Sequence, residues 1–241
     1  MKIIEKLNAK REDIRAGKPV TIAFFGDSVT QGCFECFIDN GEIGVVFDYK
    51  SAYSTRVREM LNILYPQVQV NIINSGISGD NTANAVNRME RDITPFSPDL
   101  VVVSFGLNDS GKGLDYLPEY AENLRVILNR MKDLGAEVIF LTQNAMNTKI
   151  SYELKEEDAL RHTARFTENV QNSGTLKAYM DKAREVATEC GAAVCDLYPM
   201  WEKLIAGGVD ITEHLLSNKI NHPIREFHYY MAMKLIETMF E

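Results

Sequence analysis

Short apolar runs alternate along the chain with longer stretches whose apolar residues recur at helical spacing. The runs are rich in Val, Ile and Phe, and most of them are apolar at nearly every position. This pattern is typical of strands that are covered on both faces, as in a parallel sheet between helices. The five predicted strands are Val20–Phe25, Val68–Ile73, Leu100–Phe105, Glu137–Thr142 and Ala193–Leu197.

The stretches between the strands have the pattern and the end signals of amphipathic helices. Ser51–Tyr65 places its apolar residues on one side and stops at Pro66. Leu117–Leu134 has Pro118 in its first turn and Gly135 just past its end. The other predicted helices are Ile3–Arg15, Ala83–Asp92, Glu156–Phe166, Leu176–Cys190 and Arg225–Phe240.

The alternation of strands and helices predicts one α/β domain over residues 1–241, with a central parallel, doubly wound, flavodoxin-like sheet of about five strands. Ligands of such sheets bind at the carboxyl ends of the strands, near the point where the strand order reverses. The polar segment Asn144–Gly174 follows the fourth strand. It is either a lid or substrate-contacting element or a solvated surface excursion.

Composition and charge narrow the classes of function. Acidic residues outnumber basic ones by 34 to 26, which gives a net charge of −8 and argues against a nucleic-acid partner. The apolar runs are far shorter than the roughly 20 residues that a bilayer requires. Because Met1–Lys10 carries several polar residues where a secretory signal would be apolar, we expect a cytoplasmic protein with no membrane partner.

Four separated segments carry side chains suited to acyl transfer. Ser28 lies in the turn Gly-Asp-Ser-Val-Thr-Gln-Gly after the first strand, and Gly79 lies in a glycine-rich turn after the second. Asn108 follows the third strand, and His222 lies in a turn-rich loop before the last helix. A hydroxyl nucleophile, an imidazole base and N–H donors for an oxyanion are the parts that acyl transfer needs. Each signal is weak alone, but the four together favour a site for acyl transfer.

The four segments resemble, in order, the sequence blocks of the GDSL or SGNH hydrolases, and they span residues 26 to 222. The resemblance implies that Ser28 is the nucleophile and that His222 is the base. It implies an oxyanion hole formed by the N–H groups of Ser28 and Gly79 and by the side chain of Asn108. The family's three-layer α/β/α sandwich agrees with the fold expected from the periodicity.

The last block departs from the family pattern. The family usually has an Asp three residues before the His, whereas this chain has Lys219 there and Asn218 one residue earlier. An amide oxygen of Asn218 can accept a hydrogen bond from the imidazole, but it has no charge with which to stabilise imidazolium. The sequence leaves open whether a Ser–His dyad with a neutral or backbone orienter operates, or whether an acid from elsewhere takes the role.

Other residues near the first block have structural or functional interpretations. We expect Asp27 to hold the nucleophile turn through backbone N–H groups. Phe34, Phe37 and Phe47 either line a substrate pocket or pack in the ordinary way. The C-x-x-C formed by Cys33 and Cys36 is a redox pair, half of a metal site or, as we favour, a loop that carries two thiols.

The resemblance implies a serine esterase that forms an acyl-enzyme on a small-molecule ester, and the first and last blocks look most like members that deacetylate sugars. The alternatives are a lysophospholipase or thioesterase acting on lipids, and a non-catalytic carbohydrate-binding relative. The mechanism needs no cofactor, and metal-site motifs are absent from the sequence. The sequence does not determine the oligomeric state.

Overall fold

The computed structural model describes residues 1–155 and 159–241. The strands in chain order are β1 (Val20–Gly26), β2 (Cys33–Asp39), β3 (Glu42–Phe47), β4 (Val70–Gly76), β5 (Leu100–Ser104), β6 (Glu137–Leu141) and β7 (Ala193–Cys195). Five of them form a central parallel sheet in the order β4-β1-β5-β6-β7, and the antiparallel pair β2 and β3 forms a separate hairpin.

Helices cover the central sheet in two groups. Within the described ranges the helices are α1 (Lys2–Glu12), α2 (Ser28–Gln31), α3 (Tyr53–Leu64), α4 (Thr82–Asp92), α5 (Leu107–Ser110), α6 (Leu117–Asp133), α7 (Ala159–Asn172), α8 (Thr175–Glu189), α9 (Tyr198–Ala206), α10 (Ile211–His214) and α11 (Arg225–Phe240). In one group α3 and α1 pack on α11, and in the other α4 and α8 pack on α6.

The predicted fold class is confirmed: a parallel five-stranded α/β sheet of flavodoxin-like strand order lies between helices. Strand β1, which lies between β4 and β5 in the sheet, is buried at all seven positions because these strands flank it and helices cover both faces. The strand order reverses beside β1, where loops that leave adjacent strands in opposite directions open a crevice. The main apolar core runs from Ile3 in α1 to Met239 in α11.

The β2–β3 hairpin corrects the expectation that Cys33 and Cys36 lie in a loop. Both cysteines lie on β2, and the strand pairing is irregular between them. The hairpin escapes periodicity analysis because this irregularity interrupts the alternation and because much of its surface, including Phe37 and Phe47, is about half exposed. Both cysteines are free thiols, and burial raises their pKa values, to about 12 for Cys33.

The helix predicted after β6 is present and ends later than expected. The sequence predicts it over Glu156–Phe166; residues 156–158 lie outside the described part of the chain, and α7 is described from Ala159 to Asn172. This helix packs against the β2–β3 hairpin. Across residues 1–155 and 159–241, no helix has both the length and the apolar character needed to cross a membrane.

Candidate active site

The turn after β1 presents Ser28 as the first residue of α2. Asp27 caps this helix, since its side chain accepts a hydrogen bond of 3.0 Å from the N–H of Val29, as expected from the sequence. Gly26 allows the backbone of the adjacent strand to approach closely, because a Cβ at this position would lie 2.7 Å from the carbonyl oxygen of Ser104. The turn therefore holds the hydroxyl of Ser28 at the carboxyl end of β1.

Ser28 and His222 are 194 residues apart in the sequence and adjacent in the structure. The Oγ of Ser28 lies 3.0 Å from Nε2 of His222, and both side chains are buried. The other ring nitrogen, Nδ1, lies 2.9 Å from the backbone carbonyl oxygen of Phe34 on β2. A carbonyl oxygen only accepts, so Nδ1 carries the ring proton and Nε2 is left to accept the hydroxyl proton of Ser28.

The surroundings of His222 favour the neutral imidazole. Burial lowers the pKa of its side chain from 6.5 to about 4, and this effect outweighs the opposing hydrogen bond to Phe34 and the negative charge of Glu35. Near neutral pH the ring is therefore a base that is ready to take a proton. It is a weaker base than an imidazole paired with a buried carboxylate.

Asn218 binds the backbone of the histidine loop and not the imidazole. Its Oδ1 accepts hydrogen bonds from the N–H groups of Ile220, Asn221 and His222 at 3.0, 2.9 and 2.9 Å. Its Nδ2 donates to the side chain of Asn221 at 3.0 Å. The residue thus shapes the loop that carries His222, and Nδ1 of the imidazole, for which Asn218 is one candidate partner in the sequence, is bonded to the backbone carbonyl of Phe34.

The expected oxyanion donors lie on turns that are fastened to the nucleophile turn. Gly79, in the turn between β4 and α4, adopts a φ of +76°, which favours glycine. The preceding residues Ile77 and Ser78 donate backbone hydrogen bonds to Gly26 and to the side chain of Gln31. Asn108, in α5, donates from Nδ2 to the carbonyl of Asp80 at 2.8 Å. Its second Nδ2 hydrogen remains for another acceptor.

Two amides that lie two and three residues after the end of β6 join the nucleophile turn to the histidine loop, and sequence reasoning missed both. Gln143 donates to the carboxylate of Asp27 at 2.9 Å, and Asn144 donates to the backbone carbonyl of Asn221 at 2.8 Å. Burial raises the pKa of Asp27 to about 7, against the lowering effect of its hydrogen bond from Val29. The sequence indicates a role for Gln143 and Asn144 only through their position, since polar residues that follow a strand lie at the edge of the sheet where ligands bind.

Arg88 is a second feature that sequence reasoning missed. This buried side chain on α4 pairs with Asp80 at 2.6 Å and donates to the carbonyls of Gly26 and Ser75 at 3.0 and 2.8 Å. It therefore joins the turn that follows β4 to the end of β1. The sequence does contain an indication of this role. Arg88 lies on the same buried face of α4 as Ala85, and a cation is unfavourable there unless it is paired.

A cavity of about 430 Å³ lies beside the histidine loop, between β2 and the segment before α7. Its lining is mixed, since four residues are charged and four are large and apolar, namely Phe37, Ile38, Leu154 and Leu160. Of the three phenylalanines considered from the sequence, Phe37 lines this cavity, Phe34 is fully buried, and Phe47 is half exposed on β3. The charged lining residues are Glu35, Glu153, Lys155 and Lys219.

Comparison with known proteins identifies a matching family model and related sequences. The model of the GDSL-like Lipase/Acylhydrolase family matches residues 24–228. An acetylxylan esterase from Geobacillus stearothermophilus is 27% identical over 159 residues, which are 62% of this chain and 68% of that protein. An arylesterase from Vibrio mimicus is 36% identical over 73 residues, which are 30% of this chain and 36% of that protein.

Solved structures share the fold over nearly the whole chain. A catalytic mutant of Axe2, an acetylxylan esterase from Geobacillus stearothermophilus, superposes with a TM-score of 0.67 at 20% identity and covers 93% of this chain and 95% of its own. LAE5, described as an alpha/beta hydrolase enzyme from the metagenome of Lake Arreo in Spain, gives a TM-score of 0.66 at 20% identity, with coverages of 92% and 96%.

Proposed function

The chain belongs to the GDSL-like lipase/acylhydrolase family and is a carboxylic-ester hydrolase, and from this premise we propose that it acts through an acyl-enzyme on Ser28. The observation that supports the proposal most directly is the 3.0 Å contact between the Oγ of Ser28 and Nε2 of His222, with Nδ1 held as the protonated nitrogen by Phe34. The nucleophile and its base are thus within hydrogen-bond reach and in the required tautomer.

The proposed reaction has two half-reactions. Ser28 Oγ attacks the ester carbonyl carbon while Nε2 of His222 takes the hydroxyl proton, and the N–H groups of Ser28 and Gly79 and the amide of Asn108 bind the oxyanion. The carbon–oxygen bond to the alcohol then breaks, and the alcohol leaves with the proton from His222. In the second half a water molecule gives its proton to His222 and its oxygen to the acyl carbon. The acid departs, and Ser28 recovers the proton.

The backbone carbonyl of Phe34 takes the place of the acid that the family usually has three residues before the histidine. A carbonyl fixes the tautomer and the ring orientation, but it carries no net charge to stabilise imidazolium. We therefore propose a Ser–His dyad with a backbone orienter as the working centre. Lys219 occupies the usual acid position, and its ammonium points away, towards the carbonyl of Glu213 at 2.8 Å.

Acetylated carbohydrates are the substrate class that we propose. Two observations support this: a matched relative is named an acetylxylan esterase, and the cavity beside the histidine loop contains Glu35, Glu153, Lys155 and Lys219. Charged groups beside apolar side chains suit a sugar, which presents both hydroxyl groups and apolar ring faces.

Active-site labelling tests the mechanism. A fluorophosphonate probe should label the wild-type protein and leave Ser28→Ala unlabelled, with loss of ester hydrolysis in that variant. Labelling of Ser28→Ala at the wild-type rate, or an unlabelled wild type, would refute the acyl-enzyme; the second result would favour a non-catalytic carbohydrate-binding protein.

Substrate length tests the specificity. Across a series of p-nitrophenyl esters, kcat/KM should peak at acetate, and acetate should be released from acetylated xylo-oligosaccharides. A peak at octanoate or longer would replace the carbohydrate proposal with a lipid or thioester hydrolase.

A further inference from the structure

Arg225 is the first residue of α11 and lies three residues after His222. Its guanidinium forms a bidentate ion pair with Glu35 on β2, at 2.5 and 3.0 Å, and donates a hydrogen bond of 2.8 Å to Asp48, which follows β3. The same guanidinium lies over the ring of Phe34, with its central carbon 4.3 Å from the ring centroid. One side chain therefore contacts both residues that flank a single peptide group.

That peptide group joins Phe34 to Glu35 and carries the carbonyl oxygen that accepts from Nδ1 of His222. The carbonyl belongs to a hairpin that pairs with no strand of the central sheet. A two-stranded hairpin is marginally stable by itself in water. The position of the carbonyl relative to the imidazole therefore depends on contacts that tie β2 to the histidine segment.

We infer, on the basis of the proposed function, that Arg225 is a positioning residue. Together with Glu35 and Asp48 it holds the Phe34 carbonyl against His222, and this contact maintains the reactive tautomer of the imidazole. The chain thereby uses an ion pair that acts on the imidazole through the Phe34 carbonyl, whereas the family pattern has an Asp three residues before the histidine. Bidentate Arg–carboxylate pairs suit this role because their planar geometry fixes orientation as well as distance.

The charges of the network also act on the base. The charged and titratable groups around His222 come from four elements: the nucleophile turn, β2, the turn after β3, and α11. The negative charge of Glu35 raises the pKa of His222, and Arg225 lowers the pKa values of Glu35 and Asp48 and so keeps both ionised. The groups concerned are Asp27, Glu35, Cys36, Asp48, Arg225 and His228.

Three variants and one matched control test the inference. Arg225→Met keeps the aliphatic stem over Phe34 and removes the charge, Arg225→Lys keeps the charge without the planar fork, and Glu35→Gln keeps the shape of the partner. The control, Arg130→Met, breaks a pair with Glu90 of similar geometry, at 2.5 and 2.9 Å, and similar exposure, between α6 and α4.

The expected result is a kcat for acetate esters about tenfold or more lower in Arg225→Met and Glu35→Gln, with KM within about twofold, because misplacing an orienting group by a fraction of an ångström slows the chemical step. Arg225→Lys should lie between these variants and the wild type, and Arg130→Met should match the wild type. The acidic limb of kcat/KM should move to higher pH in Arg225→Met and to lower pH in Glu35→Gln, since the two changes alter the charge near His222 in opposite directions.

A kcat of Arg225→Met within about twofold of the control would overturn the inference. Equal losses in both network variants with an unmoved acidic limb would also overturn it, because that result indicates only a loss of stability. If Arg225→Met does not fold, as circular dichroism would show, Glu35→Gln decides the question by the same criteria. A wild-type protein that a fluorophosphonate does not label refutes the proposed function instead, whereas a labelled wild type with an unaffected Arg225→Met refutes this inference alone.

Discussion

Activity should persist at mildly acidic pH because the base is buried beside a neutral acceptor. The perturbation is protonation of His222, whose pKa is lowered from 6.5 to about 4. Such a shift corresponds to about 3 kcal/mol against the imidazolium form. At pH 5.5 a group with a pKa near 4 is about 97% neutral, whereas one with a pKa of 6.5 is about 9% neutral.

The assay is kcat/KM for an acetate ester between pH 5 and 8, since this parameter reports the ionisation of the free enzyme. Released acetate is measured by chromatography, so that ionisation of the leaving group does not affect the readout. We expect kcat/KM at pH 5.5 to be within about twofold of its value at pH 7.5. Protein incubated at pH 5.5 and returned to pH 7.5 controls for loss of folded enzyme.

A fall of about tenfold between pH 7.5 and pH 5.5 would refute this reasoning if it occurs in folded protein and also in Asp27→Asn, which lacks the other group that titrates in this range. Such a fall would mean that His222 titrates at or above its ordinary pKa. It would then have a carboxylate partner that replaces the contact with Phe34, or water would reach the ring.

Three further substitutions test the supports of the site. Asn218→Ala leaves three backbone N–H groups without their acceptor. We expect kcat to fall at least tenfold and the free energy of unfolding, measured in urea, to fall by about 2–4 kcal/mol. Asn218→Asp, which keeps an acceptor oxygen, should retain most activity. Lys219→Asp should give no gain in kcat, since Nδ1 of His222 is already bonded and Glu213 and Glu153 lie near the new charge; a tenfold gain would contradict this. Asp27 has a folded pKa of about 7 against 3.8 unfolded, so its stabilising contribution is present below pH 3.8 and is lost as pH rises through 7. The free energy of unfolding of Asp27→Asn, measured by urea titration relative to wild type, should therefore rise by roughly 2–3 kcal/mol as the pH goes from 5 to 8. A difference that does not change with pH would rule this out.

The periodicity of the chain was sufficient to predict the architecture, because the signals for each of these strands and helices lie within its own segment. Continuous burial makes β1 and β5 apolar at nearly every position, and the helix after them, Leu117–Asp133, shows its Pro and Gly end signals within one segment. The same logic fails for β2 and β3, because a half-exposed hairpin with irregular pairing has neither an apolar run nor a clean alternation.

The supporting residues of the site lay beyond any local pattern. Gln143, Asn144 and Arg88 are ordinary polar residues whose roles depend on partners 62 to 116 residues away in the chain. Nothing in a single sequence distinguishes such an amide from one that faces solvent. Only the position after a strand, or on a buried helix stripe, marks these residues for attention.

The sequence by itself determined the sheet, the loops at its carboxyl edge, and the set of Ser28, Gly79, Asn108 and His222 as candidates, because these features follow from residue type and order. The tertiary structure alone decided what orients the imidazole. That partner is the carbonyl of Phe34, and every residue has a backbone carbonyl, so no side-chain pattern can reveal which one will face a given ring. The choice depends on how a hairpin is held against a loop 188 residues away in the chain, and such long-range geometry exists only in the folded molecule.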